Sequence, residues 1–171
     1  MNRPLKSPAS APASSKAVRV FVSYSHEDYV WLQRLTPLLK GLRGAEAKTF
    51  TDKDIRPGDN WDKAIRDALD GMDVFVALVS VNFGTSDYIR EVELPRAKKR
   101  LAANEIDVLP VYLGAPSKGD AEWLMKLERV PWEKSWAEIR GAFPEYDHAL
   151  KPIRDGIKAV VERARARKNG R

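Results

Sequence analysis

Hydrophobic and polar positions along the chain alternate in blocks that predict strands and helices in turn. Four short apolar runs, rich in β-branched residues, predict buried strands over 17–24, 47–51, 73–80 and 107–113. Apolar residues at helical spacing predict helices over 29–43, 61–72, about 91–104 and 145–167. Residues 114–145 are rich in Trp and Pro, and no pattern there assigns an element.

Capping residues and prolines set the expected ends of these helices. Asp28 is predicted as the N-cap of the first helix and Gly44 as its stop, while Pro37 predicts a kink or a later start. Gly71 is expected to end the second helix, and Pro152 to lie near the true start of the last one.

The repeated strand–helix units imply an α/β fold, in which a parallel sheet carries helices on both faces. Ligands of such sheets bind beyond the carboxyl ends of the strands, near the point where the strand order reverses. Polar residues cluster in the three loops at that edge, over 23–28, 52–61 and 81–93. We therefore expect the functional site there.

The net charge of +6 lies at the ends of the chain rather than in its middle. Residues 1–16 and the last nine residues carry eight basic side chains and no acidic one, which leaves 22 basic and 24 acidic residues elsewhere. We expect a disordered leader over 1–16, one domain over 17–163 and a basic tail over 164–171. The domain is not expected to bind nucleic acid, whereas the basic ends could contact nucleic acid or anionic lipid, or simply solubilise the chain.

Composition argues against several other classes of protein. No run of about 18 apolar residues exists, so no membrane span is expected, and the first residues lack the apolar segment of a signal peptide. The chain has no cysteine, which excludes disulfides, thiolate nucleophiles and cysteine metal sites. These features favour a cytoplasmic location.

The first loop begins with Ser23, Tyr24, Ser25 and His26 in succession at the end of a strand. Neither glycine-rich phosphate motif, GxGxxG or GxxxxGK, occurs in the chain. Two serines and a histidine could hydrogen-bond a ligand. The alternative is that Ser25 or Asp28 only caps the following helix.

The second loop, 52–61, carries charged residues on both sides of a Pro57–Gly58 pair. A tight turn at this pair could hold the charged tip outward, or it could let Trp61 cover a pocket. The alternative is a solvated loop in which Trp61 only opens a helix against the core.

Metal and serine-hydrolase chemistry receive little support. Asp52 and Asp54 lack a clear third ligand, and the two histidines, His26 and His148, are not spaced as a metal-binding pair. The G-x-S-x-G motif of many serine hydrolases is absent. We therefore expect no metal site.

The third loop leads into a helix that carries Glu91 and Glu93. Successive residues of an α-helix are about 100° apart, so these two side chains point roughly 200° apart and cannot share a pocket. Glu93 shares a face with Ala97, which must pack on the sheet, and Pro95 places the start of the regular helix near 91–92. Glu93 is therefore expected to face inward, either as a catalyst or as a partner of the helix dipole.

Three segments together resemble the Toll/interleukin-receptor (TIR) domain family. "VFVSYSHED" resembles its first box, "FTDKDIRPGDNW" its second box with the BB loop, and "VALVSVNFGTSDYIREVEL" the segment that begins its third helix. The three occur in order and at the right spacing, and the match runs from about Val18 to Leu113 and weakly to the final helix. The family fold is flavodoxin-like, a five-stranded parallel sheet of order 2-1-3-4-5 with helices on both faces.

The resemblance implies an activity, because many prokaryotic members cleave NAD⁺ at the nicotinamide–ribose bond. Their catalytic residue is the Glu before a Leu or Ile in this helix, which is Glu93 here. In the family an aromatic residue lies about four positions before that Glu, whereas Tyr88 lies five before it. The implied substrate-binding residues are Ser23, Tyr24, Ser25, His26, Asp52, Ile55, Pro57, Gly58, Trp61 and Tyr88. Within that set, Ser23, Ser25 and His26 resemble the adenosine or diphosphate side, and Ile55, Pro57, Trp61 and Tyr88 the walls around nicotinamide and its ribose.

A single carboxylate is compatible with this reaction. Glycosidases normally use two because the leaving oxygen must be protonated, whereas nicotinamide leaves NAD⁺ as a neutral molecule. The resemblance implies NAD⁺ as substrate without a cofactor, ADP-ribose or a cyclic isomer as product, and assembly with other TIR domains through the BB loop, 52–61. The alternatives are a non-catalytic TIR adaptor and a TIR-like synthase of nucleotide derivatives in immune signalling.

Overall fold

The computed structural model describes residues 17–42, 47–114, 119, 121–142 and 147–170. The predicted disordered leader, 1–16, and the predicted helix stop at Gly44 lie outside the described residues.

Four strands form one parallel sheet in the order β2-β1-β3-β4. Their bounds are Val18–Ser23 for β1, Ala47–Phe50 for β2, Val74–Val79 for β3 and Asp107–Tyr112 for β4. Each strand lies within one residue of its predicted bounds, because short, continuous apolar runs are typical of strands buried on both faces. The central strand β3 is buried along its whole length.

Six α-helices are described, several of them preceded by short turns of other helical types. Their bounds are Tyr29–Leu42 for α1, Trp61–Gly71 for α2, Val81–Thr85 for α3, Leu94–Ala102 for α4, Trp136–Ala142 for α5 and Leu150–Asn169 for α6. Pro37 lies inside α1, so the prediction of a later start for that helix is wrong. Gly71 is the last residue of α2 and Pro152 lies near the start of α6, as predicted. In the described ranges, no helix is both long and apolar enough to cross a membrane.

Helices cover both faces of the sheet, which confirms the predicted α/β layering. One core cluster joins α1 and α6 to inward residues of β1 and β3 such as Val22 and Val76. The other joins α2 and α4 to the opposite faces of the same strands, where Phe21 stacks on Phe75 with ring centroids 5.8 Å apart. The connections that follow β1 and β3 therefore diverge to opposite faces and leave a crevice between the ends of these two strands.

The expected fifth strand is not formed in the described part of the chain, where its place beside β4 is taken by one parallel bridge between Val111 and Val130. The Tyr112 N–H donates to the Val130 carbonyl at 2.8 Å, and the Val130 N–H donates to the Pro110 carbonyl at 3.0 Å. Pro110 therefore faces this open edge, and proline has no N–H to extend a ladder. The expected order 2-1-3-4-5 is thus confirmed only for its first four strands.

The predicted basic tail, 164–171, is instead the end of α6 as far as Asn169. Ala164 is completely buried, which an unattached tail would not allow. The α6 helix ends beside the amino ends of the strands, where two of its last basic residues form defined contacts.

Arg167 and Lys168 neutralise carboxylates at the starts of β3 and β4. The Arg167 guanidinium donates to the Asp107 carboxylate and, at 3.0 Å, to the Asp73 carbonyl. The Lys168 ammonium lies 2.7 Å from the Asp73 carboxylate. Arg167 and Lys168 therefore form ion pairs within the fold. For these two residues, the expectation that the basic end only solubilises the chain is wrong.

Replacing Arg167 by Ala is expected to lower the free energy of unfolding by about 1–2 kcal/mol, because a partly buried carboxylate and a carbonyl lose charged donors. Arg154→Ala is the control on the same helix, since among the described residues Arg154 pairs only with the exposed Asp155 and its loss is expected to change the free energy of unfolding much less. Urea unfolding of both variants measures the difference. If the two variants had the same free energy of unfolding, Arg167 would not be needed to stabilise the ends of the strands.

Candidate active site

A cleft of about 300 Å³ opens at the carboxyl ends of β1 and β3, where the strand pattern predicts a ligand site. Eight of the residues implied by the resemblance line it: Ser23, Tyr24, Ser25, His26, Asp52, Trp61, Tyr88 and Glu93. Other lining residues were not singled out from the sequence, notably Glu27, Asn82, Thr85 and Ser86.

Glu93 lies in this cleft as a buried carboxylate. Its side chain accepts a hydrogen bond from the hydroxyl of Ser23, and only 7% of the residue is exposed. Burial raises the pKa of Glu93 from 4.5 to about 7; the Ser23 hydrogen bond opposes this shift, and the charge of Asp52 adds to it. Glu91 is exposed, as helical geometry predicts.

Asp52 joins the loop after β1 to the loop after β2. The Tyr24 hydroxyl donates to one of its carboxylate oxygens at 2.5 Å, and His26 Nε2 lies 2.8 Å from the other. Burial and the bond to Asp52 raise the pKa of Tyr24, so the phenol remains protonated. Ser25 makes no side-chain capping bond at the turn that follows, so the capping alternative for this residue is not supported.

Trp61 and Tyr88 form an aromatic wall of the cleft. Their ring centroids are 4.5 Å apart, and the ring planes are tilted by 58°. The Tyr88 hydroxyl donates to Asp62 at 2.8 Å, and burial, followed by this bond, raises the pKa of Tyr88 to about 12. Trp61 takes its place because α2 begins there, where the Asn60 side chain caps the helix by accepting the Lys63 N–H.

A π-helical segment, Ile89–Glu93, brings Tyr88 and Glu93 into the same cleft. In an α-helix five residues turn by 500°, which would place these side chains about 140° apart. A π-turn bonds residue i to i+5, here through the Leu94 N–H to the Ile89 carbonyl, so five residues complete about one turn. The π-turn therefore accommodates the five-residue spacing between Tyr88 and Glu93, which is one residue longer than the spacing in the family.

The predicted helix start near 91–92 requires correction. Helical backbone begins at Asp87, and the regular helix α4 begins at Leu94. Pro95 cannot donate to the carbonyl of Glu91, and the wider π-turn replaces the α-helical bonding there rather than delaying the helix.

The prediction that Asp28 caps the first helix is also corrected by its contacts. Asp28 is only 5% exposed, and its two carboxylate oxygens accept the Ser80 hydroxyl at 2.5 Å and the Asn82 side-chain amide at 3.0 Å. Ser80 in turn caps α3 by accepting the Phe83 N–H. In the sequence, the signal for this cluster is the "SVN" that follows β3, within the third segment that resembles the family.

Ile55, Pro57 and Gly58 do not line the cleft, although the resemblance implies that they bind substrate. Ile55 is half-buried and packs against the core on the α2 face, whereas Pro57 and Gly58 are exposed at the tip of the loop. Gly58 adopts a φ of +93°, a conformation that glycine permits and that turns the chain outward. Among the described residues, no group of three or more His, Asp or Glu could hold a metal ion.

Comparison with known sequences identifies the family. The sequence model of the TIR domain matches residues 20–150, which is most of the chain and includes both sides of the cleft. The chain belongs to the TIR domain family. The fold and the three sequence boxes agree with this assignment.

A relative of this TIR domain is known from Sinorhizobium fredii (strain NBRC 101917 / NGR234) under the name Uncharacterized protein y4lF. The two are 32% identical over 152 residues, which is 86% of this chain and 46% of that protein. The chain therefore spans about half the length of this relative.

The raised pKa of Glu93 predicts how the stability of this TIR domain changes with pH. A carboxyl group whose pKa rises on folding destabilises the fold as pH increases from 4.5 to about 7, by about 3 kcal/mol in total, and the loss then levels off. Glu93→Gln removes this titration. Its free energy of unfolding relative to that of wild type is therefore expected to be about 3 kcal/mol larger at pH 8 than at pH 4.5.

Urea unfolding of wild type and Glu93→Gln at several pH values measures this difference. Glu91→Gln is the matched control, because that side chain is exposed on the same helix and its effect is expected to be small at every pH. A difference between Glu93→Gln and wild type that does not change with pH would contradict a raised pKa at this site.

Proposed function

We propose that this TIR domain cleaves NAD⁺ at the bond between nicotinamide and ribose, with Glu93 as the catalytic residue. The observation that carries the proposal is the buried Glu93 carboxylate, bonded to Ser23 in the cleft at the carboxyl ends of β1 and β3. A desolvated carboxylate with a pKa near neutrality is unusual in a surface helix and common at catalytic sites.

The chemistry requires one anion beside the ribose. As the bond breaks, its electron pair passes to the nicotinamide nitrogen, and positive charge develops on the ribose as an oxocarbenium ion. The ionised Glu93, which is itself buried, stabilises that charge. A water oxygen then bonds to the ribose carbon, and Glu93 can accept the proton that the water releases, giving ADP-ribose and nicotinamide; attack by the adenine instead would give a cyclic product.

The walls of the cleft suit the two ends of this substrate. Trp61 and Tyr88 present aromatic faces to which a nicotinamide ring can stack, close to the helix that holds Glu93. On the β1 side, Ser25 and His26 offer hydrogen-bond partners for the diphosphate, with the imidazole held by Asp52.

A second function is favoured by the outward tip of the BB loop. Pro57 and Gly58 are exposed and outside the cleft, so they are available to contact another TIR domain without blocking substrate. We propose that self-assembly through this loop activates cleavage; the non-catalytic alternative is that the loop only recruits a TIR partner. A cytoplasmic role in immune or antiphage signalling, or in host interference, rests on the resemblance to prokaryotic TIR proteins.

Loss of NAD⁺ is the direct test. The purified protein, assembled at high concentration or with a crowding agent, is expected to consume NAD⁺, and Glu93→Ala is expected to lower kcat by roughly 100-fold or more because the charge that stabilises the transition state is gone. Glu91→Ala is the matched control and is expected to remain within about twofold of wild type.

Chromatography of nicotinamide, ADP-ribose and cyclic products follows the reaction and identifies the product. If wild type and Glu93→Ala are equally inert while both bind another TIR domain, the adaptor function replaces the enzymatic one. Equal losses in the Glu91 and Glu93 variants would instead disprove the assignment of the inward carboxylate.

The raised pKa of Glu93 also predicts the pH dependence of the rate. The ionised form is the active one, so kcat/KM is expected to fall about tenfold for each pH unit below about 7 and to level off above it. A stopped assay of initial rates between pH 5 and pH 9 measures the profile. A rate that is constant down to pH 5 would rule out a carboxylate with this pKa as the essential group.

A further inference from the structure

The buried carboxylate of Asp28, to which the proposed reaction assigns no role, joins the loop after β1 to the residues that follow β3. Asp28 immediately precedes α1, whereas its two partners, Ser80 and Asn82, follow β3. Both of its oxygens are occupied by side-chain donors, and the residue is almost fully buried. A buried carboxylate that accepts two hydrogen bonds holds its donors in fixed positions.

The fixed position matters most for Asn82, which is exposed at the mouth of the cleft. One N–H of its amide is donated to Asp28 at 3.0 Å, which sets the orientation of the whole group. The amide carbonyl and the second N–H have no partner among the described residues. Asn82 therefore presents one acceptor and one donor, side by side, to whatever occupies the cleft.

Asn82 lines the same cleft as Glu93, but its side chain is bonded to Asp28 at the start of α1. Glu93 and Tyr88 belong to the helix on the α2 and α4 face of the sheet, and the aromatic wall with Trp61 is on that side. Asn82 lies in α3, whose Phe83 packs on that same face, but its amide bonds Asp28 at the start of α1, which covers the other face. A dinucleotide whose scissile ribose lies at Glu93 can extend across the strand ends toward Asn82.

We propose that Asn82 binds the adenosine half of the dinucleotide and that Asp28 is the positioning residue that holds its amide. This inference rests on the proposed function and extends it to substrate recognition. A paired donor and acceptor complements either the hydroxyls of the adenosine ribose or the N6 and N7 edge of adenine, and both belong to the same half of the substrate.

Three substrates test the role of Asn82. Asn82→Ala is expected to raise KM for NAD⁺ by roughly tenfold and to leave kcat within about twofold, because the lost bonds bind the substrate without touching the reacting atoms. With nicotinamide mononucleotide, which lacks the adenosine half, the variant is expected to match wild type. The third substrate is nicotinamide hypoxanthine dinucleotide. If Asn82→Ala still raises KM for it, Asn82 contacts the ribose; if KM no longer rises, Asn82 contacts the adenine edge. Both results support the proposal.

A double-mutant cycle tests the role of Asp28. Asp28→Ala is expected to raise KM for NAD⁺ as Asn82→Ala does, and to add almost nothing in the Asn82→Ala background, because it acts through Asn82. Asp28→Asn keeps an acceptor for the Asn82 amide and is expected to restore most of the affinity. Val81→Ala is the control, since Val81 is an exposed neighbour that does not line the cleft.

An unchanged KM for NAD⁺ in Asn82→Ala, an equal loss with nicotinamide mononucleotide, or additive effects in the cycle would each overturn the proposal. Calorimetry with ADP-ribose separates this result from failure of the proposed function. If the protein does not turn over NAD⁺ but binds ADP-ribose about tenfold more weakly after Asn82→Ala, the adenosine site stands without the reaction. If NAD⁺ is cleaved and ADP-ribose binding is unaffected, only the adenosine site fails.

Discussion

The hydrogen bond from Ser23 to the buried carboxylate of Glu93 is the contact around which this TIR domain is arranged. It joins the end of β1 to the helix after β3, where the chain connections part to opposite faces of the sheet. Burial there costs stability at neutral pH because the ionised group is poorly solvated. A buried carboxylate that lowers stability in this way fits the catalytic role proposed above.

Three neighbouring carboxylates are held in different ways, and this difference assigns their roles. Asp28 and Asp52 each accept two hydrogen bonds from side chains, so their charges are satisfied and they serve as fixed anchors for Asn82, Tyr24 and His26. Glu93 receives one such bond and is otherwise desolvated, so its proton is poised near neutral pH. Glu93 is therefore the carboxylate suited to the catalytic role proposed above.

Periodicity predicted the strands, most helices and the inward direction of Glu93, because these follow from local geometry alone. The π-turn at Ile89–Glu93 could not be predicted in this way, since it depends on Pro95 and on core packing at both ends of the segment. Asp28 was mistaken for a cap because its donors lie more than fifty residues along the chain. The end of α6 looked like a free basic tail because its acidic partners at the strand starts are equally remote in sequence.

The carboxylates at the two ends of the sheet differ in whether cations neutralise them, and this difference bears on the substrate. At the amino ends, the carboxylates of β3 and β4 are neutralised by the cations of α6. At the carboxyl ends, the described residues that line the cleft include Glu27, Asp52 and Glu93 but neither Lys nor Arg. Such a cleft favours a cationic group over a neutral one. In the reaction proposed above, it would therefore suit the positively charged nicotinamide ring of NAD⁺ and the oxocarbenium ion, and it would hold neutral nicotinamide less well once the bond has broken.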